Sequence, residues 1–235
     1  MRRITPFGLC LLGAALIAPG LCAQAAPPPP PPRCAPVADT VHGPTARQVR
    51  ERTQLRDRIQ ATLRAHGQPL GGLLMVDVDS TRRRKVLFLD ATFPESTRRA
   101  ATALVAAYLE TLQDGRAYQA LIRIDGGYPA MTPGRRHCRP ELDNPGVLSE
   151  MMQDVLERHP ETGTHEQAVV KRAAMRLVVT REGRVAYAEV DQPTGDAFID
   201  QTLESIAMRL RFDPATLDGE PFDVRFRFNL TFNVR

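Results

Sequence analysis

The chain carries none of the short motifs by which catalytic chemistry usually announces itself. It has no G-x-S-x-G elbow, no H-E-x-x-H zinc pair, no P-loop and no glycine-rich dinucleotide turn. His42, His66, His159 and His165 are scattered without ligand spacing. Asp77 and Asp79 share one side of a strand, where two carboxylates invite calcium, but no third acid clusters with them. The only adjacent pair of catalytic residue types is His137-Cys138, in an arginine-rich loop that would favour a thiolate. Adjacency in sequence does not set a base on a nucleophile, so the pair reads as part of a disulfide or as idle surface. No catalytic residue, metal ligand or cofactor is assigned.

A strong charge bias is missing too. The formal net charge is +4, and losing Arg2 and Arg3 with a leader would take it to +2, too little to argue for nucleic acid. The run Arg82-Arg83-Arg84-Lys85 reads as a solvated hairpin tip, with contact to anionic lipid or phosphate as the alternative. Outside the N-terminus no segment approaches the ~18 apolar residues of a membrane span. At the N-terminus, Met1-Arg2-Arg3, an apolar stretch from Phe7 to Ala18 and Ala23-Gln24-Ala25 make a secretory signal peptide, residues 1–25, with the mature chain starting at Ala26. The rival is an uncleaved anchor: Phe7 to Ala23 is 17 residues, at the short end of a spanning helix. Leu21 before Cys22 is too large for a lipoprotein signal.

Cysteine is scarce. Cleavage leaves Cys34 and Cys138 out of 4 cysteines, and an oxidising periplasm would permit one bond between them; two free thiols are the alternative.

What is present has a clear order. Residues 26–43 form a proline-rich linker whose six consecutive prolines, 27–32, hold a stiff extended spacer. Residues 44–130 read as an N-terminal α+β unit: a charged helix over 44–65, strands over 73–79 and 85–93, a helix over 96–113 and a strand over 118–124. Residues 131–167 read as a proline-rich loop, running from Gly126 to Asn144, and a connecting helix after Asn144-Pro145. Residues 168–235 repeat the earlier order, with strands around 175–179 and 185–190, a helix over 198–210 and a final strand. That strand alternates most clearly: Val224, Phe226, Phe228, Leu230, Phe232 and Val234 point one way, and Arg225, Arg227, Asn229, Thr231 and Asn233 the other. The fold class is α+β, with two strand-strand-helix-strand units about 100 residues apart plus flanking helices. Duplication explains the spacing; two unrelated halves with similar order is the competing account.

Residues 168–235 resemble the TonB C-terminal domain family. The matching string is Gly183-Arg184-Val185, Thr194-Gly195, Ile199-Asp200 with Leu203, Arg209-Leu210-Arg211-Phe212-Asp213-Pro214-Ala215, Asp218-Gly219-Glu220-Pro221 and Phe226-Arg227-Phe228. Leu210 stands where the family usually has tryptophan, the proline spacer is short, and the N-terminus looks cleavable where family transducers keep an anchor. The helix crossover returns the third strand antiparallel to the first, giving the order 2-1-3 with the final strand at an edge. An open edge is a template for a partner's strand. The resemblance implies a periplasmic, non-enzymatic module that engages an envelope protein, such as a TonB-dependent outer-membrane receptor, by strand addition. Arg225, Arg227, Asn229 and Thr231 would line that edge. The alternatives are an inner-membrane-anchored energy transducer facing the periplasm, which needs the uncleaved N-terminus, and an envelope enzyme built on Cys138. No nucleic acid or small-molecule substrate is expected.

Overall fold

A computed structural model describes residues 32–38, 46–79, 81, 83–89, 93–111, 118–127, 129, 131–143, 145–158 and 169–234. The expected signal peptide with its cleavage site and nearly all of the proline tract lie outside them. In chain order the elements are β1 (Cys34–Pro36), α1 (Ala46–Ala65), β2 (Leu73–Val78), β3 (Arg84–Leu89), α2 (Glu95–Thr111), β4 (Tyr118–Arg123), β5 (Arg136–Cys138), β6 (Glu141–Leu142), α3 (Pro145–Arg158), β7 (Val169–Val179), β8 (Val185–Gln192), α4 (Ala197–Ala207), β9 (Phe212–Asp213), β10 (Ala215–Leu217), β11 (Glu220–Phe222) and β12 (Val224–Val234). Among the described residues no helix is long and apolar enough to cross a membrane.

The N-terminal unit forms the antiparallel sheet β3-β2-β4 and the C-terminal unit the antiparallel sheet β12-β7-β8. The two sheets remain separate; they stack face to face. Leu73, Met75 and Leu89 meet Val178 between them, with Leu87, Leu121, Ala186 and Tyr187 packed around. The outer face of the first sheet buries Leu74, Val76, Ala120 and Ile122 against Leu55, Ile59 and Leu63 of α1 and Ala101 and Val105 of α2. The outer face of the second buries Met175, Leu177 and Val179 against Ile199, Leu203 and Ile206 of α4 and Met152 of α3. The order of layers is therefore helices, sheet, sheet, helices.

Met75 lies on the Asp77 side of β2, yet it is 1% exposed, because that side faces the second sheet. The segment 126–144 was expected to be loop throughout, yet it contains β5 and β6. Both strands pair with residues distant in sequence: β5 joins the small sheet β1-β5-β10-β11, and β6 pairs with β9. The small sheet has its own core of Val37, Ala215, Leu217 and Phe222. Its β10–β11 turn uses Asp218 (φ 52°) and Gly219 (φ 92°), left-handed conformations that glycine tolerates best. Cys34 and Cys138, opposite each other in the β1–β5 register, are joined by a disulfide.

Candidate functional site

The C-terminal sheet has two edges, and they differ. At the β8 edge α4 intervenes: the Val190 N–H donates to the Glu204 carboxylate at 2.9 Å, so a side chain takes a backbone donor that a partner's strand would need. The β7–β8 ladder also carries two register shifts, which break the regular spacing that pairing requires. Helix α4 is held in place by its N-cap. Asp196 accepts from the Phe198 and Ile199 amides, while the Thr194 hydroxyl and amide both donate to Asp200.

At the other edge β12 pairs with β7 in unbroken register from Val224↔Val179 to Val234↔Val169, and no other described strand joins it. Its apolar row packs toward Phe212, whose ring lies 5.6 Å from Phe226 and 5.7 Å from Phe228, both edge-on. Phe212 and Leu230 are buried, whereas Phe226 and Phe228 are half-buried. The fully covered ring of this cluster is Phe212, which sits under the sheet.

The four polar residues expected along this edge divide. Arg225 is turned into the contact between the sheets, where its Nη2 donates to Asp77 Oδ2 at 3.0 Å. Arg227 is exposed and reaches back across the sheet to Gln192 and Asp191. Asn229 and Thr231 are exposed. The outward-facing set is thus Arg227, Asn229 and Thr231.

The other singled-out residues have local partners. Asp77 holds Arg225. Asp79 accepts from Thr81 and from the Arg83 amide, which, with the Thr81 hydroxyl first, hold its carboxyl below the usual range. Cys138 is in the disulfide, so its sulfur is not a free thiol. Burial, and then the positive charge of Arg139, pushes His137 below its ordinary value, and its Nε2 is buried without a hydrogen-bond partner.

Sequence reading missed a buried ion pair between the units. Arg123 donates through Nε and Nη2 to both oxygens of Asp223, and the two side chains are 6% and 7% exposed. The Arg181 amide donates to Asp223 as well, and the Arg181 guanidinium donates to Asp125 at 3.1 Å. Burial acts to raise Glu182, but hydrogen bonds from Arg181 and Thr180 outweigh it and hold the carboxyl below its ordinary range. The partners stand 100 residues apart, so no local pattern announces them. Nearby, Gly183 (φ 77°) passes so close to β9 that a Cβ would collide with the Phe212 carbonyl oxygen, while the Phe212 N–H donates to the Gly183 oxygen. Glycine here admits a backbone contact that any side chain would block.

No protein-family profile, curated protein or solved structure matches this chain.

Proposed function

We propose that this chain is an exported periplasmic binding module, non-catalytic, that takes up an extended segment of an envelope protein, such as an outer-membrane receptor, at the outer edge of β12. The observation that carries this reading is the edge itself. It is 11 residues long, regular in register, joined by one strand only among those described, and bordered by exposed Arg227, Asn229 and Thr231. An edge strand leaves a row of N–H and C=O groups for a partner's backbone, and side chains on alternate positions supply selectivity. The order β12-β7-β8 puts the unit's first strand in the middle and β12 at an edge, which supports a module that adds a strand there. The Glu204 carboxylate at the β8 edge directs addition to β12.

Amide exchange and crosslinking test the proposal together. A photo-crosslinking residue at Thr231 of the mature protein should capture an envelope protein, and one at exposed Arg64 on α1 should not. In the isolated protein alternate amides of 224–234 should exchange fast, and they should slow on capture. Asn229→Pro should abolish capture if that N–H faces the open edge. Uniform protection of 224–234 without a partner would mean that the edge is already covered, and would overturn the proposal.

A further inference from the structure

The N-terminal sheet also has an open edge, and a groove runs beside it. Strand β3 pairs only with β2 among the described strands, in regular register from Leu73↔Leu89 to Val78↔Arg84, with no bulge and no proline. Between β3 and the first turns of α2 lies a groove of about 540 Å³, lined by Val86, Leu87 and Phe88 on one side and by Phe93, Arg98 and Thr102 on the other. That volume lies within the range of sites that hold small ligands. The three strand residues are consecutive and half-buried. The groove therefore follows the backbone edge rather than one face, and apolar surface from both faces reaches it.

Charge selects the occupant. Arg98 and Arg99 stand at the α2 end of the groove, with exposures of 52% and 77%, and share the single carboxylate of Glu95 at 2.8 and 3.4 Å. Two guanidinium groups on one carboxylate leave most of their N–H donors for another anion. At the opposite end of β3, Arg83 and Arg84 are exposed, with Arg84 paired to Glu110. The edge is apolar in its middle and basic at both ends. Its six residues span roughly 20 Å, enough for a segment of similar length.

We propose that the β3–α2 groove is a second strand-addition site, which takes an extended peptide segment with apolar residues in its centre and acidic residues at its ends. Its backbone pairs with β3, its apolar side chains lie over Val86 and Phe88, and a terminal acid bonds Arg98 and Arg99. The site is independent of the β12 edge, on a different sheet.

The test uses the full mature chain and two synthetic probes: an octapeptide with a valine-rich centre and glutamate at both ends, and the same peptide with lysine replacing glutamate. Fluorescence anisotropy should show the acidic probe binding at least about tenfold more tightly, the size of one charge-assisted contact. The acidic probe should slow alternate amides of 84–89 and leave those of 224–234 unchanged. The pair R98E/R99E, at exposed positions outside the core, should reverse the preference between probes, and Thr102→Trp should block both by filling the groove. Equal binding of the two probes, or protection confined to 224–234, would overturn the proposal while leaving the β12 reading intact. So would a concentration-dependent dimer that protects 84–89 without a peptide, which would assign the edge to a second copy of the chain. Failure of capture at Thr231 with protection of 84–89 retained would overturn only the β12 reading.

Discussion

In the N-terminal unit the three strands are six residues each and the covering helices run 20 and 17 residues. In the C-terminal unit β7 and β12 run 11 residues, and helices of 14 and 11 residues cover them. Both units place their first strand in the middle of the sheet. They differ in what the strands must bury. Leu73, Leu74, Met75 and Val76 of β2 are all buried, because helices cover one face of that strand and the second sheet covers the other. Strand β12 keeps its alternation, because beyond Arg225 its second face is exposed at Arg227, Asn229 and Thr231. A strand enclosed on both faces reads as an apolar run, and a strand wet on one face reads as alternation. The units also differ in attachments. Between α4 and β12 the C-terminal unit inserts β10 and β11, which join the disulfide-linked strands β1 and β5 in the small sheet.

The disulfide gives the largest way to sharpen this contrast. It closes a loop of sequence separation 104, so C34S/C138S should destabilise the protein by about 4–5 kcal/mol in the chain-entropy model. Under native conditions the loss should be local first: amides of β1 and β5 should exchange faster while those of β2 keep their protection. An unchanged urea midpoint in the double serine variant would remove the disulfide from the list of stabilising features.

The next effect tests whether the units are joined. Arg123→Met leaves the buried Asp223 without its charged partner and with only the Arg181 amide, which should cost about 3–5 kcal/mol. R123M/D223L removes both charges and should recover most of that loss. A single unfolding transition in the native chain that splits into two in Arg123→Met would show that this pair couples the units. A double variant as unstable as the single one would show that packing, not the orphaned charge, was lost.

The smallest effect is a pH dependence confined to the small sheet. His137 has a folded-state value below its ordinary 6.5, with burial as the main cause and Arg139 next. The unfolded chain therefore takes up the proton first, so stability is full above about pH 6.5 and declines as pH falls toward the folded value. His137→Gln should flatten that part of the urea-midpoint profile. A profile identical to that of the native chain would show that the ring does not titrate differently on folding.

Much of the architecture is legible along the chain because it is written in short-range periodicity. Leu55, Ile59 and Leu63 recur four apart and all three are buried in one stripe of α1. The alternation over 224–234 matches the bounds of β12, and Asp218-Gly219 marks a turn that the backbone makes. Strand β1, which lies in the stretch read as a linker, and strands β5, β6, β9, β10 and β11 were not legible. They are two or three residues long and exist only through ladders to distant segments, so no period can develop within them. The same reason hid the candidate sites. Arg225 looks like any residue of the polar row until Asp77, 148 positions away, comes within 3.0 Å of it. Arg98 and Arg99 look like an ordinary solvated helix start until β3 lies alongside and leaves a groove between them.

By itself, then, the sequence determined the helices, the long strands and the inward row of β12. These follow from side-chain spacing. Tertiary structure decided that the sheets stack face to face rather than join edge to edge, and that Met75 is core. It also decided that Arg123 and Asp223 are enclosed together, that Glu204 bonds the β8 edge, and that β3 and β12 remain open among the described strands. Each of these depends on which surface meets another across the chain. That choice is made by the burial of apolar area and the pairing of charges between segments roughly 100 residues apart, a range over which local pattern carries no information.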